Sequence, residues 1–136
     1  MNEVKTDKAP KVIGPYSQAI QAGNFIFCSG QLGVDPISGD LVGSDIANQT
    51  KQALENIRQI LLAESSGLDA VVKTEVYLKN MSDYKIMNEV YEQAFTVSPK
   101  PARVTVEVAR LPKDALVEIA CVAYKETVWT NYLIWN

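Results

Sequence analysis

Residues 101–120 read PARVTVEVARLPKDALVEIA, two runs of strand-like alternation joined by a short loop. In 102–108, Arg103, Thr105 and Glu107 alternate with Val104, Val106 and Val108. In 116–124, Val117, Ile119, Cys121 and Ala123 alternate with a set that contains Glu118. Successive side chains of a strand point to opposite faces, so each run has an apolar side that needs a core. Its other side is mixed and carries an arginine or a glutamate. A chain with such strands must build a sheet with one covered face. An arginine and a glutamate on the mixed side of one sheet could bind a carboxylate and position a water. Alternation alone also describes two solvated strand residues, and by itself it favours that plainer reading.

The rest of the chain supplies the cover. Residues 17–22 and 25–29 read as strands separated by the turn signal Gly23-Asn24, the second being the aromatic and β-branched run Phe25-Ile26-Phe27-Cys28-Ser29. Gly30 and Gly33 are expected to end that strand, as a plain turn or as points where the backbone approaches a ligand closely. Residues 34–43 carry proline, glycine and aspartate and read as a loop. From Ile46 the spacing turns helical: Ile46, Ala53, Leu54, Ile57 and Leu61 fall on one stripe, with Ser44 or Asp45 as cap and Gly67 as stop. Residues 70–79 form a strand with Val72, Thr74, Val76 and Leu78 on one side. Ser82 or Asp83 caps a second helix to about Phe95, whose stripe is Tyr84, Met87, Tyr91, Ala94 and Phe95; Pro99 and Pro101 prevent its continuation.

Two helices can cover one face of such a sheet and no more. The order of elements therefore predicts an α+β domain over residues 1–125 with both helices on one side. The other face, carrying Val71, Tyr77, Val122 and Tyr124 among charges, is left for water or another subunit. Residues 126–136 hold both tryptophans, Trp129 and Trp135, and break the pattern; they read as an aromatic extension foreign to the fold.

A length of 136 residues with 47% apolar content suits one domain with a real core. No stretch approaches the ~20 apolar residues of a membrane span, and residues 1–11 lack the apolar run of a secretory signal. Cys28 and Cys121 sit in apolar strand patterns and are expected as buried, reduced thiols of a cytoplasmic protein. The chain has no histidine. That removes histidine bases, Ser-His-Asp and Cys-His nucleophiles and histidine-ligated metals. Chemistry is left to Arg, Lys, Glu, Asp, Tyr, Ser, Thr, backbone amides and water. A net charge of −3 and a pI near 4.9 argue against a nucleic-acid partner. No phosphate-binding glycine motif is present.

Several motifs, in order and at compatible spacing, resemble one known family. They are Ile13-Gly14-Pro15-Tyr16-Ser17-Gln18-Ala19, Ser29-Gly30-Gln31, Asn88 with Tyr91, Pro101-Ala102-Arg103, the run from Val106 through Glu107, Arg110, Leu111, Pro112 and Lys113 to Asp114, and Glu118-Ile119. Over about residues 3–125 the chain resembles the RidA/YjgF family, the reactive intermediate deaminases, also labelled endoribonuclease L-PSP or translation-inhibitor-like proteins. The resemblance implies a chorismate-mutase-like α+β fold, a homotrimer with clefts between subunits, and no cofactor. It implies hydrolysis of 2-imino acids and their enamine tautomers, such as 2-iminobutanoate and 2-iminopropanoate, to 2-keto acids and ammonia. Matched position by position, Arg103 is the arginine that binds the substrate carboxylate and Glu118 the glutamate that positions the attacking water. Tyr16, Ser29, Gly30 and Asn88 match cleft-lining positions. Thr105 stands where many members carry a cysteine, a departure that bears on substrate preference.

The residue chemistry agrees with that expectation. A planar guanidinium pairs bidentately with a carboxylate, and a glutamate in a partly desolvated cleft can take a proton from attacking water. Imines hydrolyse spontaneously, so positioning can supply most of the acceleration needed. Two rivals stand beside this reading: a non-catalytic member that binds a small carboxylate as a regulator, and an RNA-directed role suggested by the family's older label.

Overall fold

The computed structural model describes residues 1–126; the expected aromatic extension lies outside the described residues from position 127 onward. Strands β1 (Asn2–Val4), β2 (Ala19–Ala22) and β3 (Phe25–Leu32) are followed by helix α1 (Ile46–Leu62), β4 (Val71–Leu78), helix α2 (Tyr84–Ala94), β5 (Ala102–Glu107) and β6 (Val117–Tyr124). They form a six-stranded sheet in the order β1-β2-β3-β6-β4-β5. Its neighbours are antiparallel apart from β4 and β5, which α2 joins as a parallel crossover.

The helices bury their apolar stripes on one face of this sheet. Ile46, Ala53, Leu54, Ile57, Ile60 and Leu61 of α1 and Met87 and Tyr91 of α2 pack with Ile26, Val76, Leu78, Ile119, Cys121 and Ala123. The fold is thus the α+β arrangement with both helices on one side. Asp45 caps α1, accepting the Asn48 N–H at 3.0 Å. At α2 the structure differs from expectation: the single 3-10 turn Met81–Asp83 runs straight into the helix, and Asp83 makes no side-chain cap bond. After α1 the left-handed residue is Ser65 (φ 55°), ahead of the expected stop at Gly67.

Three departures from simple alternation shape the surfaces. First, β3 does not stop at Gly30. It runs on to Leu32 through a bulge between Cys28 and Gln31, which re-aims the strand beside β6. Second, a register shift between Val71 and Lys73 of β4 turns Val71 into the core and leaves Val72 43% exposed. Third, β5 is an edge strand whose register pairs Arg103 with buried Thr74 and Thr105 with buried Val76. Paired residues share a face. Arg103 and Thr105 therefore project on the helix-covered side, while Val104 and Val106 join Phe25, Phe27, Tyr77, Val122 and Tyr124 on the open face. Alternation divided β5 into the right two sets. The assumption that the valines face the core is what fails.

The N-terminal segment is tied down by one buried amide. Gln18 accepts the Thr6 N–H at 2.8 Å and donates to the carbonyls of Thr6 at 3.0 Å and Pro10 at 2.9 Å. That anchor holds residues 10–13 against the end of β3.

Candidate active site

The sequence-derived site residues fall into two groups. The first surrounds Arg103. Helix α2 presents Tyr84, Asn88 and Tyr91 at successive turns, so their side chains share the helix flank next to β5. Arg103 Nη1 donates to Asn88 Oδ1 at 2.7 Å and Nη2 to the Tyr84 oxygen at 3.0 Å. The guanidinium carbon stands 4.7 Å from the Tyr91 ring centroid and 5.6 Å from that of Tyr84, within cation–π range. Tyr91 is itself fixed to β4, its hydroxyl 2.7 Å from Thr74 Oγ1. No carboxylate pairs with Arg103 among the described residues. A guanidinium has five N–H donors in a fixed fork, so Asn88 and Tyr84 orient this one without exhausting it. Held cations of this kind suit a planar anion.

The second group lines a cavity of about 960 Å³ on the other side of the sheet. Tyr16, Ser29, Gly30 and Glu118 meet there, walled by residues 10–13 and by Pro112 and Lys113. Ser29 Oγ donates to the Ser17 carbonyl at 2.6 Å, which fixes β3 to the segment carrying Tyr16. Glu118 lies across Gly30: a Cβ built on that glycine would sit 2.8 Å from the Glu118 carboxyl carbon. The glycine is the space the carboxylate occupies, which explains a glycine inside a strand. Burial lifts the Glu118 carboxyl above its usual range. No hydrogen bond from a described residue steadies the charged form. Lys113 reaches the rim from a loop in which it and Asp114 both take left-handed backbone, φ 58° and 53°. An ion pair of Arg110 Nε with Asp114 Oδ1 at 2.7 Å braces that loop.

Arg103 and Glu118 are therefore not neighbours on one face, as the sequence alone suggested. Within one chain they project on opposite sides of the sheet. Asn88 joins the Arg103 group and not the cavity. Thr105 lies along β5 beside Arg103, its hydroxyl buried and without a hydrogen-bond partner among the described residues. Cys28 and Cys121 face each other across β3 and β6, both buried and free. The hydrogen bond to Cys121, together with burial, pushes the Cys28 thiol well up, the reverse of an activated nucleophile. Sequence reasoning placed Tyr84 and Tyr91 on the apolar stripe of α2 and gave neither a role in the site. Their spacing with Asn88 on one helix was the available signal. The N-terminal wall at residues 10–13 had none, because it depends on the distant Gln18 anchor.

Comparison with known proteins covers nearly the whole described chain. The family model described as endoribonuclease L-PSP matches residues 6–125. A RutC family protein of Pyrococcus horikoshii is 59% identical over 121 residues, spanning 89% of this chain and 95% of its own. The 2-iminobutanoate/2-iminopropanoate deaminase of Homo sapiens is 45% identical over 130 residues, spanning 96% of this chain and 94% of its own. The crystal structure of E. coli TdcF with bound serine superposes with a TM-score of 0.88 at 35% identity, over 93% of this chain and all of that one.

Proposed function

This chain belongs to the endoribonuclease L-PSP family, that of the RidA and YjgF proteins, and from that premise we propose that it hydrolyses 2-imino acids and their enamine tautomers to 2-keto acids and ammonia. The observation that carries the reading is the division of labour in the site: an oriented guanidinium at Arg103 that no described carboxylate pairs, and a half-buried carboxylate with a raised pKa at Glu118. Relatives named as imine deaminases support the same class.

In this mechanism the substrate carboxylate binds Arg103, and the electrophilic C2 faces Glu118. Water attacks C2 as Glu118 takes its proton, and the C2–N π electrons pass to nitrogen, which is protonated to a carbinolamine. The carbinolamine nitrogen then takes up the hydroxyl proton and leaves as ammonia, giving the 2-keto acid. One water is consumed per ammonia released, and no redox change occurs. Raising the carboxyl pKa brings the base closer to the operating pH and strengthens it as a proton acceptor. Tyr16, Ser29 and Gly30 line the cavity around the reacting carbon in this reading. Asn88 binds substrate through Arg103, and Thr105 shapes the pocket beside it. Binding at Arg103 and chemistry at Glu118 lie on opposite faces of one sheet. A cleft that contains both draws them from two copies, and we assign a homotrimer acting in the cytoplasm.

The test is hydrolysis of 2-iminobutanoate generated in situ by a threonine dehydratase, followed with and without this protein. Faster keto-acid release with the protein supports the proposal; an unchanged rate refutes it. A second reading draws on the serine-bound relative: this chain binds a small carboxylate without turning it over. Keto-acid binding that needs Arg103 but is unaffected at Glu118, with no acceleration of imine hydrolysis, would select that alternative.

A further inference from the structure

One hydroxyl beside Arg103 retains hydrogen-bonding capacity that no described residue uses. Tyr84 is the first residue of α2 and is 38% exposed. Its oxygen accepts from Arg103 Nη2 at 3.0 Å, and the same guanidinium donates through Nη1 to Asn88 Oδ1 at 2.7 Å. Arg103 thus holds the phenol and the amide side by side. What remains to the phenol is its own proton, and no described acceptor takes it. The group is thus a donor at the surface, next to a guanidinium with N–H groups still free.

We propose that Tyr84 is a substrate-binding residue whose O–H donates to the same carboxylate that Arg103 holds. The proposal rests on the reading of Arg103 as the carboxylate site and adds to it. It makes the anion site a composite of fork and phenol, with Asn88 fixing the angle between them. A carboxylate bound there receives charge-assisted bonds from Arg103 and a further bond from a neutral donor. Asn88 and Arg103 hold the Tyr84 phenol below its usual range, which makes it a stronger donor while protonated. The groups that act on this phenol are Asn88 on its own helix and Arg103 from β5. Once deprotonated, Tyr84 loses its donor, offsets the charge of Arg103 and repels an incoming carboxylate. The anion site therefore fails at alkaline pH before the arginine itself can titrate.

The experiment compares wild type, Tyr84→Phe, Arg103→Lys and the double variant. It reads equilibrium binding of 2-oxobutanoate across pH 7 to 10.5, steady-state hydrolysis of 2-iminobutanoate, and thermal midpoints. Tyr84→Phe keeps the ring over the guanidinium and removes the hydroxyl alone. Its expected result is about tenfold weaker 2-oxobutanoate binding, the usual worth of a hydrogen bond to a charged group. KM should rise in parallel while kcat stays within about twofold, the mark of binding shared by ground and transition states. Wild-type affinity should fall on the alkaline side below the ordinary phenol value of about 10, and Tyr84→Phe should lack that fall. In the Arg103→Lys background the substitution should cost less, because the two residues hold one ligand. Unchanged binding in Tyr84→Phe, with Arg103→Lys impaired, would overturn the role of Tyr84 and leave the carboxylate site standing. Near-normal binding and turnover in Arg103→Lys would overturn the carboxylate site itself. A joint loss of kcat and thermal midpoint in Tyr84→Phe would mark the residue as structural and overturn the proposal. An alkaline fall that persists in Tyr84→Phe would assign it to another group and count against the phenolic donor.

Discussion

In the proposed function two single side chains divide the chemistry, and each makes a separable prediction. Arg103→Lys exchanges a planar fork for a point charge, which cannot bridge Asn88, Tyr84 and a carboxylate together. Most imine hydrolysis should be lost in a steady-state assay, while the thermal midpoint stays close to wild type because the residue is an edge-strand side chain. Near-normal turnover would remove Arg103 from the site. Glu118→Gln should leave 2-oxobutanoate binding intact and slow hydrolysis by ~100-fold or more, the usual share of a general base. Loss of binding instead would make Glu118 a structural residue. Burial raises this carboxyl in the folded chain relative to the unfolded one. The folded state therefore retains a proton that the unfolded state releases, and stability falls as pH rises from the unfolded value through the folded one. At neutral pH the Gln variant should melt no lower than wild type, and the wild-type activity should fade on acidification above the ordinary glutamate range. A lower midpoint for Glu118→Gln at neutral pH would show that burial is not what sets this carboxyl.

At the level of elements, two glycines near the end of β3 should answer substitution differently. A Cβ at Gly33 would lie 2.5 Å from the Gln49 carbonyl oxygen of α1, and backbone there cannot yield. Gly33→Ala should cost about 1–3 kcal/mol, the usual range for overpacking, read as a drop in chemical denaturation midpoint. A Cβ at Gly30 meets the end of a movable side chain, that of Glu118. Gly30→Ala should therefore cost little stability and much activity, because the carboxylate is displaced. Equal losses at both positions would contradict this distinction. The same elements show what the sequence made legible. Both helices, their stripes apart from exposed Tyr84, and the strand periods of β4, β5 and β6 could be read from spacing, since each element's own apolar period is set locally. Register is not local. The bulge at Cys28–Gln31, the shift at Val71–Lys73 and the edge position of β5 depend on which strands pair. Those are the features that put Arg103 and Glu118 on opposite faces. The candidate site residues came from motif resemblance, whereas the sheet face on which each lies did not. The short strand β1 went unread because three residues carry no period.

For the whole molecule, the open sheet face is the feature that calls for a partner. Phe25, Phe27, Val104, Val106 and Tyr124 are each between 38% (Tyr124) and 48% (Phe27) exposed there. Large exposed apolar side chains gathered on one face suit an interface, and a cyclic one closes without leaving a free patch. Glu118 sits on that face and Arg103 on the other, so inactive Arg103→Ala and Glu118→Ala chains should rescue each other. Unfolded and refolded together, they should regain activity in proportion to mixing, through clefts that combine an intact Arg103 with an intact Glu118 from different chains. Activity that stays at background would mean that each cleft takes both residues from one chain. Sedimentation of the wild type should accordingly report a mass near three chains.

The Gln18 anchor exposes the cavity to a slow chemical hazard. One side-chain amide gives both donors that keep the Thr6 and Pro10 carbonyls in place, and through them the wall at residues 10–13. Deamidation would turn that nitrogen into an oxygen and set a carboxylate against two carbonyls, with no donor left between them. The wall would come away while Arg103, Glu118 and the helices kept their positions. Gln18→Glu reproduces the aged molecule directly. It should retain its helical circular dichroism and lose saturable 2-oxobutanoate binding, so that stored protein can fail as an enzyme long before it fails as a fold. Full binding by that variant would free the wall from its dependence on Gln18.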